Sequence, residues 1–188
     1  MHRLRRQLAN LLTGLRVVLT PAFIVLAWPA DGGGVGAAVL FVVLAASDVY
    51  DGRLARRYDS VSRGGRTFDH VADIVFILGA LSAYAMQGLV PWWVAASVGA
   101  SFAFYVLDSW LLTAAAPTLI GSRVGHLAGI CNYALVGLLA FNNTAGLHLL
   151  SAGFLRVLFC LVPVYSAAAI LARVAGRRRA AISAVGAA

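Results

Sequence analysis

The chain contains no glutamate and no lysine: its 7 acids are all aspartate and its 15 bases all arginine. Charge is sparse, at 12% of residues, and 61% are hydrophobic. A mean hydropathy of +0.86 excludes an ordinary soluble domain and points to a polytopic membrane protein. Cysteine is scarce too. Cys131 and Cys160 lie in apolar segments, without metal-ligand spacing and without a case for a disulfide. They read as small buried hydrophobes. With a net charge of +8, nucleic acid would be a natural partner for a soluble protein. In this apolar chain the arginines point to anionic lipid headgroups and phosphate instead, and nucleic acid is not expected.

Long apolar runs are what the chain has in quantity. They predict helices near 11–29, 35–52, 67–87, 90–115, 123–142 and 148–173. Breakers separate them: Pro29 with Gly32, Gly33 and Gly34; Gly64-Gly65; Gly88 with Pro91; Pro117 with Gly121; and Asn142-Asn143. Each crossing needs roughly 20 apolar residues. The expected fold is therefore all-α, with six transmembrane helices in one integral-membrane domain over 1–188. Residues 1–9 are expected as a separate amphipathic helix on the membrane surface. The basic, then apolar, N-terminus resembles a signal peptide, but Arg16 and Pro21 interrupt it and no persuasive cleavage site follows, so a retained first helix is expected.

The arginines alternate with the connections. Arg3, Arg5 and Arg6 precede helix one; Arg53, Arg56, Arg57, Arg63 and Arg66 lie between helices two and three; Arg123 opens helix five; Arg173, Arg177, Arg178 and Arg179 follow helix six. The other three connections carry none, which puts both termini and the second connection in the cytoplasm. Gly121, Gly125 and Gly129 recur at a spacing that suggests close helix packing, within the chain or with a second copy. Trp92, Trp93 and Trp110 read as interface anchors and packing.

Five of the seven acids fall between residues 48 and 73. Asp48 and Asp51 sit three apart at the end of helix two, and Asp69 and Asp73 four apart at the start of helix three. Both spacings put a pair on one helix face. A short cytoplasmic connection makes the two helices antiparallel neighbours, so the pairs can converge at one depth. Carboxylates in apolar surroundings need neutralising. Two divalent cations balance four of them, and oxygen-only ligation favours Mg²⁺ first, then Mn²⁺ or Ca²⁺. His70 follows Asp69 but is turned about 100° away on a helix, which leaves little weight for zinc. Magnesium beside arginine suggests a phosphate ligand, with Arg56 suitably spaced to meet it and Gly52, Gly64 and Gly65 allowing a close backbone approach. Asp59 reads as a solvated charge.

The pattern Asp48-x2-Asp51-Gly52-x2-Ala55-Arg56-x8-Gly65-x3-Asp69-x3-Asp73 resembles, at every defined position, the signature of the CDP-alcohol phosphotransferases. Asn10-Leu11-Leu12-Thr13 with Arg16 and Pro21 is similar to the leading segment of the bacterial phosphatidylglycerophosphate and phosphatidylinositol-phosphate synthases in that family. The resemblance implies a transferase of the bacterial inner membrane, with its site on the cytoplasmic face. It moves the phosphatidyl group of CDP-diacylglycerol to a small alcohol and releases CMP. It also implies that Asp48, Asp51, Asp69 and Asp73 hold the metals, and that Asp73 is the general base toward the acceptor hydroxyl. Gly52, Ala55, Arg56 and Gly65 would cradle the cytidine diphosphate, with Ser62, Asn10 and Thr13 as weaker candidates. A homodimer is implied as well.

The acceptor is less constrained. Arg123, Arg156 and Asp108 are candidates for its pocket, and Asp108 can alternatively pair with Arg123 or Arg156. His126 reads as structural. Family members that make phosphatidylglycerophosphate commonly carry Lys after the fourth Asp, where Ile74 stands here, and a Gly-Lys element where this chain reads Gly121-Ser122-Arg123. Glycerol 3-phosphate is the first expectation, inositol or inositol phosphate the next, and an unphosphorylated polyol or amino alcohol stays open. The rival of another class is a divalent-cation transporter or binding protein. A transporter places acids or broken helices near mid-membrane. Here the acids gather at one face and arginines follow them, which disfavours passage of a cation.

Overall fold

The computed structural model describes residues 2–28, 34–57, 63–112, 123–144 and 149–185, with side chains described for 14–28, 34–47, 49–50, 65, 67–110, 123–144 and 149–177. It is all-helical: α1 (His2–Ala27), α2 (Gly34–Arg57), α3 (Arg63–Met86), α4 (Trp92–Leu112), α5 (Arg123–Asn142) and α6 (Ala152–Val185), with no strand among the described residues. Three helical stretches are long and apolar enough to cross a membrane by length and composition: Thr67–Met86, Arg123–Asn142 and Ala152–Arg177. Shorter apolar stretches occupy Gly14–Ala27 and Gly34–Ser47.

Two helix ends differ from expectation. Residues 1–9 do not form a helix of their own; His2 onward is continuous with α1. Neither proline nor glycine occurs before Gly14, and one glycine costs a helix only about 1 kcal/mol. α6 continues past 173 to Val185, because the Ala- and Arg-rich segment beyond consists largely of good helix formers.

Side-chain contacts fix the helix directions. Along α1 and α3, Phe23 meets Phe76 edge-on with ring centroids 5.1 Å apart, and a Cβ on Gly79 would lie 3.1 Å from Ile24. Both series ascend together, so α1 and α3 run parallel. Along α2 and α5 the order reverses: Gly34 lies against the Asn143 backbone, and Phe41 against Gly137 and Tyr133. The turn from α3 to α4 depends on Gly88, whose φ of 73° is the left-handed conformation that lets the Leu89 N–H donate to the Tyr84 carbonyl at 3.0 Å. At the end of α5, buried Asn142 accepts from the Leu150 N–H at 2.8 Å through its side-chain oxygen.

The core joins four helices through aromatic rings. Phe41 of α2 sits among Phe76, Tyr133 and Phe141, and Phe23 of α1 contacts Phe76 and Tyr84 of α3. Between helices in lipid, such packing replaces much of the hydrophobic drive that holds soluble bundles. Gly137 makes room for it, since a Cβ there would come within 2.4 Å of the Phe41 ring. Gly129 behaves differently: nothing lies within 4 Å of its would-be Cβ. The glycine spacing on α5 therefore does not mark close helix contact at Gly129. Gly121 lies outside the described residues.

Gly137→Ala is expected to destabilise the protein by about 1–3 kcal/mol through overpacking against a ring already held on three sides. Gly129→Ala should leave stability unchanged or slightly raised. Thermal unfolding of the two variants in one detergent measures the contrast, and equal loss in both would contradict this account of α5.

Candidate functional site

Because α1 and α3 run parallel, Arg16 arrives beside the first turns of α3. Its side chain is fully buried. Nη1 donates to Asp69 Oδ1 at 3.1 Å and also to Asp73 Oδ1. The i, i+4 spacing of the two aspartates presents both carboxylates to this one guanidinium. Arg16, which the sequence shows as an interruption of an apolar run and as part of the family-like leading segment, is here a partner of two site residues. The signal was present: an arginine within an apolar helix is expensive unless it is paired.

The Asp69 and Asp73 side chains remain about one-third exposed. An oxygen from each and a ring nitrogen of His70 all lie within 4.8 Å of one another, close enough to hold one metal ion. His70 therefore belongs to the cluster, contrary to its expected outward direction. The reason is its relation to the second acid: His70 and Asp73 are three residues apart, and residues at that spacing are neighbours on a helix surface. Two hard carboxylate donors with one imidazole suit Mg²⁺ or Mn²⁺ and do not exclude a softer ion.

α2 carries Asp48 and Asp51 in its final turns, on the helix that precedes α3. Their side chains lie outside the described residues, as do those of Arg56, Ala55, Asn10 and Thr13. Gly52 is a helical position of α2, Gly65 lies in the first turn of α3, and Ser62 and Asp59 are outside the described residues.

A cavity of about 810 Å³ opens beside Asp73 and is lined by residues of α2 to α6. Its polar wall comprises His70, Asp73, Arg123, His126, Asn132 and Arg173. Ile77, Phe102, Ile130 and Ile170 add apolar lining. Gly125 and Gly129 line it as well, so the small residues of α5 provide space for the cavity. Ile74 is on the wall as well. Arg156 is exposed on α6 and does not line this cavity.

Asp108 pairs with neither Arg123 nor Arg156. Arg173 donates through Nε to its Oδ2, and Arg177 Nη1 lies 2.7 Å from its Oδ1. Arg173 also donates through Nη2 to Ser109 at 2.7 Å and stacks over the Tyr105 ring, 4.7 Å from its centroid. The reason is the length of α6. By continuing as a helix it carries Arg173 and Arg177 alongside Asp108 of α4, and a buried acid takes the cations within its reach. Asp108 is 2% exposed and Arg173 9%. Two donors of the Arg173 guanidinium are thus committed behind the wall, while the side chain itself lines the cavity. The positive-inside pattern masked this role, because it gives every terminal arginine the same explanation.

The family model described as CDP-alcohol phosphatidyltransferase matches residues 6–175. Among curated proteins, the chain is similar to a probable phosphatidylglycerophosphate synthase of Mycobacterium tuberculosis, at 37% identity over 91 residues, covering 46% of this chain and 44% of the relative. It is 34% identical over 84 residues to a putative cardiolipin synthase of Mycobacterium bovis, covering 45% and 40%. It is also 37% identical over 86 residues to the CDP-diacylglycerol–glycerol-3-phosphate 3-phosphatidyltransferase of Escherichia coli K12, covering 45% and 47%. The aligned stretch thus spans less than half the length of each of these relatives.

Asp108→Ala leaves buried Arg173 without its carboxylate and is expected to cost about 3–5 kcal/mol. Adding Arg173→Met should recover a large part of that loss, because the pair is then replaced by apolar volume. Unfolding of the single and double variants in detergent tests this, and simple additivity of the two losses would refute the coupling.

Proposed function

We infer that this chain, which belongs to the CDP-alcohol phosphatidyltransferase family, transfers the phosphatidyl group of CDP-diacylglycerol to a phosphorylated small alcohol, with glycerol 3-phosphate foremost. The observation that carries this reading is the shared cavity: Asp73, the base implied by the signature, lines the same chamber as Arg123 and Arg173. One carboxylate and two guanidiniums around one space suit a ligand with a hydroxyl to deprotonate and a phosphate to hold. The E. coli relative's name supplies glycerol 3-phosphate as the acceptor of that protein.

In this reading Asp73 accepts the proton of the acceptor hydroxyl as that oxygen forms its bond to the β-phosphorus of the CDP-lipid. The phosphoanhydride bond to CMP breaks, and CMP leaves with the electron pair. Arg123 and Arg173 hold the acceptor phosphate and so orient the hydroxyl toward Asp73. Asp108 and Ser109 keep Arg173 at the wall. Asp69, His70 and Asp73 fit a hard divalent cation; with Asp48 and Asp51, two such ions, Mg²⁺ foremost, would neutralise the diphosphate and the departing CMP. Gly52, Ala55, Arg56 and Gly65 cradle the cytidine diphosphate, assisted by Ser62, Asn10 and Thr13. The apolar lining suits the lipid side of the donor.

The wider setting belongs to the same proposal. The chain forms one integral-membrane domain whose six helices all cross the bacterial inner membrane, with both termini and the site at the cytoplasmic face, and it works as a homodimer. The run of arginines at alternate connections supports this orientation.

Purified protein with CDP-diacylglycerol and Mg²⁺ is expected to release CMP with glycerol 3-phosphate and far less with glycerol. Asp73→Asn should lower kcat by about 10²–10⁴ while the helical circular dichroism spectrum is retained. Arg123→Met should raise the acceptor KM at least about tenfold and leave the KM for CDP-diacylglycerol in place. Failure to release CMP with any of glycerol 3-phosphate, inositol phosphate, inositol, serine or phosphatidylglycerol would sink the activity. Equal use of glycerol and glycerol 3-phosphate would sink the phosphorylated acceptor alone.

A further inference from the structure

Arg16 is the most deeply buried charge among the described residues, and both of its described acid partners are candidate metal ligands. A guanidinium in an apolar helix needs an acid, and each of these acids needs a cation. The two requirements meet on the same atoms, since Nη1 contacts Oδ1 of Asp69 and Oδ1 of Asp73. A divalent ion held by those carboxylates draws on the same lone pairs and adds its charge beside a fixed positive one.

We propose that Arg16 is an internal counter-cation of this site, a positioning residue that competes with divalent metal for Asp69 and Asp73 and stabilises the helix bundle when metal is scarce. This rests on the metal-site reading given above. Three features of the structure support it. Arg16 lies on α1, which contributes no described residue to the cavity wall, so it meets Asp73 from outside that chamber. Its helix is anchored on the C-terminal side: Thr20 donates its hydroxyl to the Arg16 carbonyl at 2.8 Å, and Phe23, about two turns on, packs edge-on against Phe76. The carboxylates themselves are one-third exposed, so an ion can approach them from the side away from Arg16. Competition of this kind keeps two adjacent acids charged and pointed inward before metal arrives. It also keeps the affinity moderate.

The test is direct metal binding by the whole chain in lipid nanodiscs, with Mn²⁺ alone as the probe, read by electron paramagnetic resonance, alongside thermal unfolding with and without Mg²⁺. Arg16→Gln is expected to bind Mn²⁺ at least about tenfold more tightly than wild type, since a repelling unit charge is gone. The same variant should melt lower than wild type in chelator and regain most of that loss in saturating Mg²⁺. Arg16→Lys keeps the charge and should stay within about threefold of wild type in Mn²⁺ affinity. A purely structural role for Arg16 would lower stability and metal affinity together, so unchanged or weaker Mn²⁺ binding by Arg16→Gln overturns the proposal. So does an Arg16→Gln protein that fails to fold even in saturating Mg²⁺, because the ion must be able to substitute for the lost charge. If neither wild type nor Arg16→Gln binds Mn²⁺, the metal-site reading falls and the proposal with it. CMP release by wild type in the preceding assay separates that outcome from loss of the transferase reading.

Discussion

No charge can sit alone inside an apolar helix bundle, and this constraint arranges the protein. Arg16 is answered by Asp69 and Asp73, and Asp108 by Arg173 and Arg177. Each pairing ties together helices distant in sequence: α1 to α3 in the first, α4 to α6 in the second. A buried pair contributes little net stability over apolar residues of equal volume, yet breaking one partner is severe. The pairs therefore fix which helices meet, and in what register, more than they deepen the energy well. The aromatic rings around Phe41 and Phe76 then fill the space between them.

Helix direction brings the pairs to one end. α3 and α5 begin there, α4 ends there, and α6 passes it on its way to Val185. Asp73, Arg123 and Arg173, spread over a hundred residues of sequence, thus line one cavity. Among its polar side chains, Asp73 is paired with Arg16, Asn132 with Tyr165, and Arg173 with Asp108 and Ser109, and its apolar lining comes from α2 to α6. The chamber is amphiphilic because it lies where the charged end of the bundle gives way to the aromatic core.

Much of this was legible in the sequence, for definable reasons. The six apolar runs anticipated the six helices, because breakers at their ends mark where a helix stops. The aspartate spacing put Asp69 and Asp73 on one face because helical geometry is local. What escaped was mostly non-local. Nothing in the order of residues says that Arg16 meets Asp73, which requires the parallel packing of α1 on α3. Asp108 could be seen to need a cation, but its partner depended on how far α6 continued. His70 was judged against Asp69 alone, although it stands three residues before Asp73 and so neighbours it on the helix surface. Gly129 shows the reverse error: small residues at regular spacing can make a cavity as readily as a helix contact.

Asp73 belongs to two neighbourhoods at once, bonded to Arg16 on one side and facing the cavity on the other. The protein accordingly divides at a single carboxyl group. On one side, α1 and α3 hold the linked charges of Arg16, Asp69 and Asp73. On the other, α4 to α6 supply most of the wall that an incoming molecule meets. A division of this kind lets the two halves change at different rates. Substitutions along the α4–α6 wall can retune what the chamber accepts without disturbing the acids. A change at Arg16, Asp69 or Asp73 reaches both halves together. The same fold can thereby serve many incoming molecules while its activating half stays nearly invariant.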